Sequence, residues 1–422
     1  MFERLGLDAL KYRPFRLYFG VNFLSNSSWF VFNAGFGWYV LNQTGSAATV
    51  GLAFFLAGLP FVLFTAHAGV LADQLGPRRV VAISLALSGS LIFALGLLAF
   101  VPGVPLWLVL GLSFVVGVAQ TIGGPGGVAI LNNLVAADAV SSAVALTFLG
   151  ISVGRILGGM VGGVIVAIWP APLALLVAGC LQAAPAIPIW RLRLLTPEVC
   201  MPSSRAIIRP ILEASGYGVR FPTLGVILLL AALPGSIGLS YNYLLPVAAR
   251  DLGIGGEGLG LLLAMAGAGG LVAGLLAESL MRRFGHGKAI LVGLATSAGG
   301  MVAFGIAPLV GISVVSMLFV GAGFIVYSAA SLSLIQALAP AHVRGRITSL
   351  FSLLYWGLMP TGGLLGGFVA QAFGARAAFA SAGVVLLAAA VLTALGRRQI
   401  LSLRVARDGT TTADGVVVNL AA

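Results

Sequence analysis

Acidic residues, histidine and cysteine are all scarce in this chain. Eleven Asp and Glu, three His and two Cys are spread over 422 residues, and charged side chains of both signs make up only 8%. A soluble protein of this length needs far more charge to cover its surface, which excludes a wholly water-exposed exterior. Cys180 lies in an apolar run and Cys200 in a polar break, giving neither a disulfide framework nor a metal spacing. Three histidines form no nucleophile–base or metal-ligand cluster, so neither an enzyme nor a metal or other cofactor is expected. No Gly-x-x-x-x-Gly-Lys-Ser/Thr loop occurs, which argues against ATP hydrolysis by this chain.

What is present is apolar sequence. Hydrophobic residues reach 59%, and the mean hydropathy is +1.09. The pI of about 10.6 does not point to nucleic acid, because the basic residues form no continuous patch; they punctuate apolar runs. A bilayer core of ~30 Å needs about 20 apolar helical residues. That ruler predicts spans near 17–41, 47–72, 79–101, 105–131, 140–168 and 171–190, a polar stretch 191–221, then spans near 222–248, 256–280, 288–308, 310–338, 347–373 and 376–396. No cleavable signal peptide is visible ahead of the first run. A short surface helix is expected from Ser203 to Gly216, and the tail from Arg407 to Ala422 is expected to be unstructured.

The loops orient the chain. With the amino terminus inside, cytoplasmic segments hold twenty Lys and Arg and the opposite side holds two, Arg250 and Arg376. This bias predicts a multi-pass protein with both termini cytoplasmic. The remaining cation, Arg155, is the exception. It lies ~22 Å along its helix from a start near Val140, at 1.5 Å per residue. A charge at that depth costs at least ~2.5 kcal/mol on insertion scales, so it should face a cavity or partner rather than lipid. No Asp or Glu sits at comparable depth. Its expected neighbours are neutral: Gln120 and Thr121 in the fourth span, or Asn22, Asn26 and Asn33 in the first. Arg155 is therefore either a recognition point for an anionic substrate or a structural arginine held by amides and carbonyls.

The two sets of six spans repeat one design. Gly158, Gly159, Gly162 and Gly163 recur as Gly362, Gly363, Gly366 and Gly367, 204 residues later. Leu75-Gly76 followed by Arg79 recurs as Phe284-Gly285 followed by Lys288, 209 residues later. Duplicated halves imply a transporter whose pathway lies between them. The expected organisation is an amino-terminal bundle 1–190, a cytoplasmic linker 191–221, a carboxy-terminal bundle 222–398 and a tail 399–422.

These residues support a specific resemblance. Gly69, Leu71, Ala72, Asp73, Gly76, Arg78 and Arg79 resemble the loop signature between the second and third spans of the major facilitator superfamily. Pro125, Ala129, Leu131, Leu134-Val135, Ala143, Leu146, Arg155, Gly158, Gly159, Gly162 and Gly163 are similar to its drug and siderophore exporter branch, which contains enterobactin and macrolide exporters and transmembrane secretion effectors. Tyr12-Arg13-Pro14-Phe15-Arg16-Leu17 and Arg344-Gly345-Arg346 resemble it too. Three positions depart: Gly159 replaces a family proline, Ser28 stands where a polar or acidic residue is usual, and Arg282 stands where the first-half loop has Asp73.

The resemblance implies an all-α membrane protein with twelve transmembrane helices in two pseudo-symmetric six-helix bundles, the major facilitator fold. It further implies a secondary exporter of small amphiphilic molecules in the bacterial inner membrane, working by alternating access with proton antiport. A substrate importer or a lipid flippase is the alternative. The expected partners are a small-molecule substrate, protons and the bilayer, with no nucleic acid, and a monomer is expected. Gly69, Asp73, Gly76, Arg78, Arg79, Arg344 and Arg346 would form an inner gate, Asp73 meeting the positive end of the eleventh helix; plain positive-inside anchoring is the other reading of the arginines. Gly150, Gly154, Gly158 and Gly162 line one helical face and predict a closely approaching neighbour. Asn26, Gln120, Tyr241, Tyr327 and Tyr355 are candidates to line the cavity with Arg155, or else bond helix to helix, and Tyr241 and Tyr243 fit an interface belt as well. His67 is the candidate for proton coupling, being the neutral-pH titratable group within a span, or it is simply a packed side chain.

Overall fold

A computed structural model describes residues 8–131, 133–136, 139–192, 194, 222–339, 343–396, 403–405, 411–413 and 416–417. The expected surface helix from Ser203 to Gly216 lies outside the described residues. The helices are α1 (Arg13–Thr44), α2 (Ala47–Leu75), α3 (Pro77–Ala99), α4 (Leu106–Leu131), α5 (Val140–Ile168) and α6 (Ala171–Trp190, interrupted after Ala183). They continue as α7 (Pro222–Leu233, a π turn Pro234–Gly238, then Tyr241–Asp251), α8 (Gly255–Phe284), α9 (His286–Ile306), α10 (Val310–Leu338), α11 (Arg344–Phe373, with a π turn Leu353–Gly357) and α12 (Ala375–Gly396). The eleven helices α2–α12 are long and apolar enough to cross a membrane. Helix α1 has 32 residues, ample length, but Asn22, Ser25, Asn26, Ser27, Ser28 and Asn33 interrupt its apolar sequence.

Two compact units divide the chain: residues 1–205 with 245–264, and residues 206–244 with 265–422. Inside each, the same helix pairs touch. In the first, α1 packs on α5, α2 on α4, and α3 on α4 and α6; in the second, α9 packs on α10 and α12, and α11 on α7 and α12.

Atomic contacts reproduce the repeat. A Cβ on Gly117 of α4 would strike the carbonyl oxygen of Ala57 in α2, and one on Gly321 of α10 would strike that of Ala266 in α8. A Cβ on Gly158 of α5 would strike the Ser27 oxygen of α1, and one on Gly362 of α11 would strike the Ser236 oxygen of α7. The glycines are 204 residues apart in both cases, and the carbonyls they meet are 209 apart. Hydrocarbon gives no hydrophobic drive for helices to associate, so backbone approach through small residues supplies the packing instead. The loop echo is a shared turn: Gly76 and Gly285 both hold φ at 87°, a region that L side chains rarely adopt, and each joins two long helices without an intervening loop.

Three local features differ from expectation. Helices α7 and α11 are not continuous α-helices, because each contains a π turn. Tyr241 and Tyr243 are 1% and 4% exposed, which rules out an interface belt for them. The tail carries three short strands, β1 (Arg404–Val405), β2 (Thr411–Ala413) and β3 (Val416–Val417), in one antiparallel sheet. The β-branched Thr and Val residues favour that extended backbone. Leu403 fixes the sheet's first end, its carbonyl accepting the Gly287 N–H of α9 at 3.2 Å.

Gly117→Ala and Gly321→Ala should each destabilise the protein by about 1–3 kcal/mol through overpacking against a carbonyl. Gly299→Ala, whose Cβ meets open space, should not. Thermal unfolding in detergent tests this, and equal unfolding temperatures for all three variants would refute the repeated contact.

Candidate functional site

Helix α5 brings Arg155 and the glycine stripe to α1. The stripe glycines run along α1: a Cβ on Gly150 would lie 3.2 Å from the Phe19 ring, on Gly154 3.1 Å from Asn26 Cβ, and on Gly162 2.9 Å from Ala34 Cβ, with Gly158 against Ser27 between them. The neighbouring glycines Gly159 and Gly163 face the first turns of α8 instead, within the same compact unit. A Cβ on Gly260 would sit 3.1 Å from Gly163 Cα, so these two backbones touch without side chains between them. Helix α5 is thus glycine-lined on two faces.

Arg155 is half-buried, and its guanidinium carbon lies 5.2 Å from the ring centroid of Phe30 in α1. An aromatic face was not among the expected neighbours. Cation–π contact contributes about 0.5–2 kcal/mol depending on desolvation, and it offsets part of the burial of the charge. Asn26 turns back on its own helix, donating from Nδ2 to the Asn22 carbonyl at 2.7 Å. Gln120 is half-buried on α4.

The polar residues of α1 have a partner that the sequence reading did not single out. Ser25 Oγ donates to Gln182 Oε1 of α6 at 3.1 Å, and Gln182 Nε2 donates to Ser88 Oγ of α3 at 3.5 Å. Ser88 Oγ donates to the Ser84 carbonyl at 2.6 Å, and Ser84 Oγ to the Ala119 carbonyl of α4 at 2.7 Å. Four helices are joined by one relay of amide and hydroxyls. Its signal in the sequence is the isolated Gln182, an amide within an apolar run.

The three tyrosine candidates lie in the second unit in two aromatic stacks that meet at Phe324. Tyr241 stacks on Phe324 of α10 at 6.0 Å and 7°. Tyr355 donates from Oη to the Phe324 carbonyl at 3.2 Å and stacks on Tyr327 at 5.9 Å. Tyr327 Oη and Ser331 Oγ, one turn apart on α10, are buried side by side, with no partner of ordinary hydrogen-bond geometry beyond each other among the described residues.

Beside these stacks, the π turns of α7 and α11 abut. A Cβ on Gly235 would lie 2.8 Å from the Tyr355 carbonyl and collide with that of Leu354. The corresponding residues of α1, 25–29, and of α5, 149–153, are regular α-helix. A π turn leaves the i→i−4 ladder and recurs at functional sites. No hydropathy pattern reveals such a turn.

The gate candidates occupy the helix junctions. Asp73 and Arg79 are exposed, and Gly69 is half-buried with open space at its Cβ position. Arg78 donates from Nη1 to the Leu192 carbonyl at 2.8 Å, tying α3 to the end of α6. Arg344 donates from Nε to the Ala339 carbonyl at 3.3 Å, closing the end of α10, while Arg346 is exposed. His67 is exposed on α2 and meets the Phe64 ring edge-on at 6.2 Å.

Gly235→Ala should separate the two π turns and slow transport, while Gly20→Ala, which meets nothing within 4 Å, should leave transport unchanged. Initial flux rates in proteoliposomes, with unfolding temperatures measured alongside, check this. A Gly235→Ala variant with full flux would show that the contact has no part in transport.

The geometry agrees with comparisons to known proteins. The chain is 26% identical over 354 residues to an enterobactin exporter of Citrobacter koseri, covering 82% of this chain and 83% of that protein. It is 27% identical over 369 residues to a multidrug efflux pump, Tap, of Mycolicibacterium fortuitum, covering 83% and 88%. Its fold matches the crystal structure of a nucleoside transporter, NupG, with a TM-score of 0.75 at 14% identity, covering 92% of this chain and 100% of that one. The family model described as transmembrane secretion effector matches residues 6–404. The chain is therefore a multi-pass membrane transporter that belongs to the transmembrane secretion effector family of the major facilitator superfamily.

Proposed function

We propose that this transporter exports small amphiphilic molecules, siderophore-like or drug-like, from the cytoplasm across a bacterial inner membrane. The observation that carries this reading is Arg155 over Phe30, a half-buried cation on α5 and a ring on the adjacent α1. A cation seated on an aromatic face suits a planar, anionic cargo such as a catecholate or carboxylate. The named activities of the enterobactin exporter and the Tap efflux pump support the direction of transport.

In this reading the two bundles, 1–190 and 222–398, alternate access to the cargo, with both termini in the cytoplasm and the chain working as a monomer. Asp73 latches the cytoplasmic side with the help of Arg79 and Arg346. Proton antiport drives export, and His67, a group on α2 that titrates near neutral pH, carries the coupling proton.

Overexpression should raise resistance to amphiphilic drugs or increase secretion of iron chelators, and deletion should do the reverse. Import of the same compounds, or movement of labelled lipid alone, would replace this reading by the importer or flippase. Arg155→Gln should lower flux of an anionic cargo by roughly tenfold, and Arg155→Lys should restore it only in part, because an ammonium lacks the planar face that stacks on a ring. Equal loss of anionic and neutral cargo would instead assign Arg155 to structure. Asp73→Asn should slow flux without affecting membrane insertion, and His67→Ala should abolish its pH dependence.

A further inference from the structure

A cavity of about 200 Å3 in the second unit lies among α7, α9, α11 and α12, with Tyr241 in its lining and apart from Tyr327 and Ser331. Leu365 of α11 and Val385 of α12 stand at its mouth and are 58% and 43% exposed. Both belong to helices apolar enough to span the bilayer, so the mouth is continuous with the face that the protein turns to hydrocarbon. The cavity reaches inward to Ser236 and Ile237, which belong to the π turn of α7. Small residues make the room, notably Gly366 and Ala382.

The lining defines the occupant. Its three serine hydroxyls are engaged on their own helices: Ser236 Oγ donates to the Ala232 carbonyl at 2.6 Å, Ser240 Oγ to the Ile237 carbonyl at 2.6 Å and Ser381 Oγ to the Ala378 carbonyl at 3.1 Å, and the fourth hydroxyl-bearing residue, Tyr241, stacks its ring on Phe324. No Lys, Arg, Asp, Glu or His lines the space. A charged cargo therefore finds no counter-charge here. Apolar cavities of roughly 150 Å3 stay dry and accept apolar guests. We infer that this crevice holds one acyl chain of a bilayer lipid, inserted between α11 and α12 with its end against the α7 π turn. The chain supports the wide turn from the lipid side while Gly362 closes on the Ser236 carbonyl from α11. The α7 π turn is thereby a lipid-contacting element as well as an intramolecular one.

The full-length protein in proteoliposomes containing a phospholipid with a photoreactive diazirine in its acyl chain tests this. After irradiation, peptide mass spectrometry should find adducts on Ser236 or Ile237 as well as on Leu365 and Val385. Ala382→Phe should fill the crevice, abolishing the α7 adducts while leaving those at the mouth. Ser381→Leu serves the same purpose if the first variant does not fold. Adducts at the mouth alone in the unaltered protein would overturn the inference. So would α7 labelling that survives both fillings, or equal α7 labelling by a water-soluble diazirine. The readout involves no transport, so it stands or falls independently of the cargo and direction proposed above.

Discussion

Two helices in hydrocarbon gain little from touching through large apolar side chains, because lipid offers the same contacts. What lipid cannot offer is the approach of one backbone to another, and a glycine set against a neighbouring carbonyl provides it. In this protein that contact occurs at matching places in both halves: Gly117 on Ala57, Gly321 on Ala266, Gly158 on Ser27 and Gly362 on Ser236. The helix pairs it creates determine which side chains are then brought together. Arg155 reaches Phe30 because α5 lies close along α1. The Ser25–Gln182–Ser88–Ser84 relay spans three helix interfaces for the same reason, and its last hydroxyl reaches a carbonyl of a fourth helix.

The halves share this contact but differ around it. In the first, Gly158 meets Ser27 within regular α-helices. In the second, Gly362 meets Ser236 inside a π turn, and a second π turn in α11 lies against the first. The amide relay ties α1, α6, α3 and α4 of the first unit together, whereas the second unit sets buried aromatic rings beside its irregular turns. A transporter needs elements with two comparable arrangements. The second unit supplies helices whose hydrogen-bond ladders are already interrupted.

Much of the fold was legible because its determinants are local or periodic. Runs of apolar residues, the turn glycines Gly76 and Gly285, and the duplicated Gly-Gly-x-x-Gly-Gly each act through the backbone of one segment, and α5 spans 140–168 as its sequence predicts. Residues whose role depends on a remote neighbour were harder to read. Arg155 stood out by its depth, yet nothing in the sequence pairs it with Phe30. Gln182 was passed over because a single amide leaves hydropathy almost unchanged. The π turns were invisible for a further reason: widening one helical turn is settled by packing against the facing helix, here Gly235 against Tyr355, rather than by the residues of the turn. The tail strands escaped notice because Gly409 and the charged residues around it mask a short Thr and Val pattern.

The central claim is that the chain drives amphiphilic cargo outward at the expense of a proton gradient. The direct measurement is accumulation of a labelled catecholate siderophore by inside-out membrane vesicles containing the protein, with the interior acidified. The account predicts accumulation above the external concentration, abolished when an ionophore collapses the pH difference. Equilibration to the external concentration regardless of the gradient, or accumulation only in right-side-out vesicles, would contradict it.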